Sequence, residues 1–161
     1  MSCSITRIVA PVWALIRSSS GPSASVSFWL IPQAGSSSTR ISGSSAWFDR
    51  GFVTYSYEAK VDLLGVKRES LVDFGAVSPE TAHDMVDGAI SNSRAQVAVA
   101  VTGIAGPEGG MPGKPVGTVW FAWKFPKKPI ISEVCHFSGD RAAVRQQTVA
   151  HALKQLLHNL A

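Results

Sequence analysis

Acidic residues are missing from the first 48 positions of this 161-residue chain; Asp49 is the first of eleven. Cysteine is scarce too. Cys3 and Cys135 stand far apart with no Cys-x-x-Cys spacing, which supports neither a zinc site nor a disulfide framework. Cys135 reads as a small buried hydrophobe on a strand. No apolar run reaches the roughly 18 residues that a membrane span needs. Charged residues make up only 16% against 45% hydrophobic, which places the chain with globular proteins and not with disordered ones. The net charge of +4 is mild, and the basic residues are scattered through the chain. That pattern suits a phosphate-bearing small ligand better than nucleic acid, whose binders cluster Lys and Arg on one face. The length suits one domain with a sizeable core.

What is present is unevenly spread. Fourteen of the first 45 residues are serine, against seven in the remaining 116. Three accounts of residues 1–42 stay open. Serine with arginine and no acid fits a targeting peptide. A disordered arm is the second, although Trp13, Phe28 and Trp29 are apolar for one. The third is translation in a shifted reading frame, which leaves a foreign head on a native domain at 43–161.

Beyond that break the periodicities are plain. Residues 51–56 are aromatic and β-branched and read as a strand, followed by a short helix over 58–64 closed by Gly65 and a helical turn over 69–74. Ser78 is a good N-cap, Pro79 suits the first helical position, and Glu80 favours the helix dipole. Ala82, Met85, Val86, Ala89 and Ile90 then form one apolar stripe. Residues 96–101, apolar from Val97 onward, read as a strand covered on both faces. A glycine-rich loop fills 103–115, strands are expected over 117–125 and 130–137 as a hairpin, and a long helix over 140–160. The fold class is α/β: a mixed sheet with helices packed on it.

Three constellations could carry chemistry. Thr102-Gly103-Ile104-Ala105-Gly106-Pro107 follows the buried strand, at the sheet edge where ligands often bind, and its glycines let backbone N–H groups approach an anion. It lacks the Gly-Lys-Ser/Thr of a P-loop and the spacing of a dinucleotide fingerprint, and it reads equally as a proline-tied turn. Tyr55 and Lys60 place a phenol and an amine where a strand gives way to a helix; a desolvated lysine near a hydroxyl can act as a base. On spacing alone the pair reads more readily as a cross-strand aromatic and a solvated lysine. Arg141 and Arg145 lie one turn apart at the start of the last helix, where cations oppose the dipole and a bound anion would account for them. Solvent, or Asp140, would serve them as well. His83, His136, His151 and His158 show no His-x3-His spacing, so surface or interface roles fit better than metal ligation.

The order of these segments is specific. Gly43-Ser44-Ser45-Ala46-Trp47-Phe48, Val53-Thr54-Tyr55-Ser56-x-Glu58-Ala59-Lys60, Gly75-Ala76-Val77-Ser78, the Thr102–Pro107 loop, Lys114-Pro115-Val116-Gly117-Thr118-Val119 and Phe137-x-Gly139-Asp140-Arg141-x-x-Val144-Arg145 together resemble the CinA C-terminal family. The resemblance covers residues 43–161. It implies α/β/α layers and an amidohydrolase that deamidates nicotinamide mononucleotide to nicotinate mononucleotide and ammonia through a serine nucleophile. It further implies a cytoplasmic setting and no metal or organic cofactor; a homo-oligomer is compatible with it. Tyr55 and Lys60 match the family's catalytic tyrosine and lysine. Thr102, Gly103, Ala105 and Gly106 would line the pocket, and Arg141 and Arg145 would suit the nucleotide phosphate.

The family's nucleophile stands in Ala-Glu-Ser-Cys-Thr-Gly-Gly, about 27 residues before the tyrosine. Here that count reaches Phe28, and the motif is absent; Ser27 and Ser36 to Ser38 are the nearby hydroxyls. The alternative function is therefore a CinA-like domain that binds a nucleotide or a partner without catalysis. The abrupt start of the resemblance near Ile41-Ser42-Gly43 favours the reading-frame account of the first segment. Resequencing the gene and shifting the frame upstream of codon 41 is expected to restore Glu-Ser-Cys-Thr-Gly-Gly; a genomic read with no such frame would contradict it.

Overall fold

The computed structural model describes residues 26–29 and 42–160. Five strands form one sheet in the order β2-β1-β3-β4-β5: β1 Val26–Trp29, β2 Phe48–Phe52, β3 Val97–Gly103, β4 Thr118–Lys124 and β5 Ile131–His136. β1 runs parallel to both β2 and β3, while β3, β4 and β5 are antiparallel in succession. The helices are α1 Tyr57–Leu64, α2 Arg68–Asp73, α3 Pro79–Ser91 and α4 Arg141–Leu160. Apart from β1 and Ser42, the three accounts of residues 1–42 concern positions outside the described residues, as do the hydroxyls of Ser36 to Ser38.

The two faces of the sheet carry different side chains, and strand alternation is the reason. Along β3, Val97, Val99 and Val101 point to one side and join Phe121, Trp123, Val144, Val149, Leu153 and Leu156 in a core under α4. Ala98 and Ala100 point to the other and meet Ala122 together with Ala82, Met85, Val86 and Ala89 of α3. Small residues let α3 lie close to the sheet, while the α4 side is filled by aromatic rings; Phe121 and Trp123 stack at 5.4 Å between centroids. The expected α/β/α layering is what forms, with the continuous apolar run of β3 buried on both faces.

α3 begins where its local chemistry dictates. The Ser78 hydroxyl accepts from the Thr81 N–H, and Pro79 opens the first turn. Its expected stripe is buried at Ala82, Met85, Val86 and Ala89. α1 starts from a similar cap, Ser56 accepting from Ala59, and closes at Gly65.

Two local expectations shift. The strand expected over 51–56 is found at Phe48–Phe52: Phe28 pairs with Gly51 and Trp29 with Phe52, the last pair of the described ladder. Beyond Phe52 the chain runs as an irregular segment to the Ser56 cap. Cys135 is half-buried and not enclosed, because β5 is an edge strand whose residues alternate between half-buried and exposed.

Gly88 is the tightest contact between helices. A Cβ added there would fall 1.8 Å from the Leu64 carbonyl oxygen, a backbone atom that cannot swing away. Helix propensity alone would make Gly88→Ala stabilising by about 0.5–1 kcal/mol. The clash outweighs that gain, so Gly88→Ala is expected to destabilise by about 1–3 kcal/mol, read as a lower urea midpoint. An unchanged or higher midpoint would show that α1 and α3 are not packed this closely.

Candidate active site

Three parallel strands determine where the site lies. β1, β2 and β3 point the same way, so the chain leaves all three at one sheet edge, where clefts form in α/β folds. After β2 that edge receives Val53, Thr54 and Tyr55; the end of β3 brings Thr102 and Gly103 there, and Ile104 and Ala105 follow. α4 starts over the same edge. Between them lies a cleft of about 440 Å³, within the range of small-molecule sites.

Of the residues singled out in the sequence, Tyr55, Lys60, Thr102, Gly103, Ala105, Arg141 and Arg145 all line this cleft. Gly106 does not line it; its carbonyl instead accepts a hydrogen bond from Arg141 Nη1 at 3.0 Å. Arg141 and Arg145 also border an adjoining cleft with Ala105, Pro107 and Val116, so the two guanidinium groups stand where the hollows meet. Asp140 is occupied elsewhere: its Oδ1 accepts from the Ala143 N–H and caps α4. The structure gives Arg141 a loop carbonyl as its partner.

Lys60 is the unusual member. It is only 6% exposed, and its Nζ donates to the Thr54 carbonyl at 2.8 Å. Among the described residues no carboxylate pairs with it, and none lines the cleft. Burial disfavours the ammonium form and lowers the pKa below the ordinary lysine value. The amine is held by the α1 turn that the Ser56 cap initiates, one turn inside the helix. Tyr55 lies differently, 86% exposed at the mouth.

The glycine loop is tied at its base. Ile104 N–H donates to the Thr118 carbonyl and Gly117 N–H to that of Ile104, while Lys114 Nζ reaches the Phe74 carbonyl. The Thr102 hydroxyl, buried, donates to the Ala76 carbonyl at 2.6 Å and fastens the α2–α3 connection to the end of β3. Thr102 thus acts on the cleft wall through its backbone and methyl group.

Sequence reasoning missed Thr54 and Thr148. Thr148, buried on α4, lines the cleft and donates to the Val144 carbonyl. Thr54 is 4% exposed and lines the cleft; its carbonyl holds Lys60, while its hydroxyl has no hydrogen-bond partner among the described residues. A buried hydroxyl without a partner costs about 1–3 kcal/mol, which a ligand in the cleft could recover. The only sequence signal for it was its place beside Tyr55 in the motif.

The family model for the CinA C-terminal domain matches residues 33–160. The chain belongs to that family. It is 53% identical over 118 residues to the nicotinamide-nucleotide amidohydrolase PncC of Escherichia coli strain K12, covering 73% of this chain and 72% of the relative. It is 54% identical over 119 residues to PncC of Pseudomonas putida, 74% of each chain. Among solved structures, the competence/damage inducible protein CihA of Agrobacterium tumefaciens superposes with a TM-score of 0.88 at 41% identity, over 98% of both chains. A CinA superfamily protein of Escherichia coli superposes at 0.89 with 33% identity, over 99% of this chain and 93% of that one.

The lowered pKa of Lys60 ties stability to pH. Between its native value and the ordinary lysine value of 10.5, the unfolded chain binds the proton that the native site has lost, so stability rises with pH across that window. Relative to Lys60→Met, the parent is expected to gain stability as the pH rises from below toward 10.5, read as converging or crossing urea midpoints. A constant difference would mean that the amine is not desolvated.

Proposed function

We propose that this chain is a nicotinamide-nucleotide amidohydrolase, converting nicotinamide mononucleotide and water to nicotinate mononucleotide and ammonia. The observation that carries the reading is the buried Lys60 amine, free of any described carboxylate, in a cleft that also presents Arg141 and Arg145. Burial lowers the Lys60 pKa and so enlarges the neutral fraction of the amine, the form a general base requires. Lys60 takes the proton of the attacking hydroxyl. The oxygen–carbon bond then forms at the carboxamide, the carbon–nitrogen bond breaks, and ammonia leaves with that proton. Water releases the acid and regenerates the hydroxyl.

Tyr55, at the mouth, assists proton transfer to the leaving nitrogen. The Thr102, Gly103 and Ala105 edge supports the ring and its carboxamide. Arg141 and Arg145 hold the phosphate, and Gly106 fixes the first of them through its carbonyl. The nucleophile is sought among Ser27, a β1 residue, and Ser36 to Ser38, which follow β1 in sequence. The ligand is a small molecule; nucleic acid has no part in this reading. It places the chain in the cytoplasm, in pyridine nucleotide salvage, with light scattering to assign any homo-oligomer. Among the described residues no helix is long and apolar enough to cross a membrane.

The purified chain, given nicotinamide mononucleotide, is expected to release ammonia and nicotinate mononucleotide in equal amounts. Lys60→Ala should lower kcat by about 10²–10⁴-fold, the range for a positioned acid or base. Arg145→Ala should act mainly on KM, because the phosphate is remote from the reacting bond. A folded chain that binds the nucleotide without turnover, and gains activity when Ala-Glu-Ser-Cys-Thr-Gly-Gly is rebuilt around position 28, would overturn the enzymatic reading in favour of a disabled relative.

A further inference from the structure

A second cluster of reactive side chains lies away from the cleft. β5 alternates, so Glu133 and Cys135 project from one face, and α4 crosses that face with His151. Cys135 Sγ is 3.5 Å from His151 Nε2 and 3.7 Å from Glu133 Oε1, and His151 Nε2 is 3.0 Å from Glu133 Oε2. All three donors lie within 4.8 Å of one another. In tetrahedral zinc coordination, with bonds of about 2.0–2.3 Å, neighbouring donor atoms stand about 3.3–3.6 Å apart. The three contacts here run from 3.0 to 3.7 Å, the thiol and the imidazole each meeting a different oxygen of the Glu133 carboxylate. A cation among them would be met by the sulfur, the nitrogen and the carboxylate after a turn of the half-exposed Glu133 side chain.

The surroundings favour a fixed site over a chance contact. The His151 ring sits against Phe121, Phe137 and Trp123 at 4.9, 6.1 and 6.2 Å between centroids. Those rings hold the imidazole plane and keep water from one side. The Glu133 side chain is 42% exposed, which leaves an entry path and room for water as a fourth ligand. A thiol is a weak hydrogen-bond donor, so contact with both an imidazole and a carboxylate gives it little in a metal-free site. Coordination would use all three groups together.

We propose that Glu133, Cys135 and His151 form a mononuclear binding site for a divalent cation of the zinc class, which fastens the edge strand β5 to α4. The nitrogen, sulfur and oxygen donor set selects zinc or cobalt over magnesium and calcium, which take oxygen ligands. His151 lies one turn beyond Thr148 on α4, so the metal also steadies the helix that carries the cleft wall.

The full chain, freed of metal by dialysis against a chelator, would be titrated with Co²⁺ and separately with Zn²⁺. The expected result is one equivalent of Co²⁺ bound with a thiolate-to-cobalt charge-transfer band, displaced by Zn²⁺ and unaffected by Mg²⁺. Zn²⁺ should raise the thermal midpoint. Cys135→Ser should abolish the band, and His151→Ala should weaken binding by about 100-fold or more. Glu133→Gln, a substitution at a half-exposed side chain that leaves packing intact, should weaken binding by about 10-fold or more. No thiolate band in the parent, a band that survives Cys135→Ser and therefore belongs to Cys3, or an equal zinc-induced rise in the midpoint of parent and Glu133→Gln would each overturn the proposal.

Discussion

Strand β3, buried on both faces, is the constraint to which the rest of this structure is referred. Its valines fix α4 and its alanines fix α3. Its ladder to β1 aligns the parallel half of the sheet, and its ladder to β4 aligns the antiparallel half. Because a strand exposes alternate side chains to opposite layers, a one-residue slip would put Val99 and Val101 against α3, where Ala98 and Ala100 now pack. The register therefore determines which loop residues emerge at the cleft edge, and Thr102, the last buried residue of β3, is bonded to the Ala76 carbonyl at the cleft wall.

From that register the electrostatics of the cleft follow. The helices meeting the edge bring an amine from α1 and two guanidinium groups from α4, and no described carboxylate lines the space. Each cation is disfavoured by its place: Lys60 by burial and the two arginines by a helix N-terminus. An anionic ligand relieves the arginines, while the lysine gains by losing its proton. The same desolvation that makes Lys60 a usable base opposes its burial in the native state, a common conflict between stability and activity at functional sites.

How much of this the sequence made legible depended on whether the determinant was local. α3 was readable because Ser78, Pro79 and the stripe from Ala82 to Ala89 act within the helix itself. β3 and α4 were readable from unbroken periodicity. The end of β2 was not, since strand pairing to β1 is a contact across the ladder, and no property of residues 53–56 marks where the strand stops. Lys60 and Tyr55 were individually weak signals, made specific only by their order with the other motifs. Thr54 was hidden because a threonine in an extended stretch looks like any other; its orphan hydroxyl exists only in three dimensions. Cys135 and His151 sit 16 positions apart on a strand and a helix, a spacing that matches no ligand pattern, and packing brings them together.

The central claim is that Lys60 carries a desolvated amine which responds to a nucleotide in the cleft. The most direct measurement is nuclear magnetic resonance titration of the lysine side chains, isotopically labelled at the ε-carbon, with Lys60 assigned through Lys60→Met. The account predicts one lysine titrating clearly below 10.5, the ordinary value, with a resonance that moves when nicotinamide mononucleotide is added. A Lys60 that titrates with the surface lysines and is unmoved by the nucleotide would contradict it.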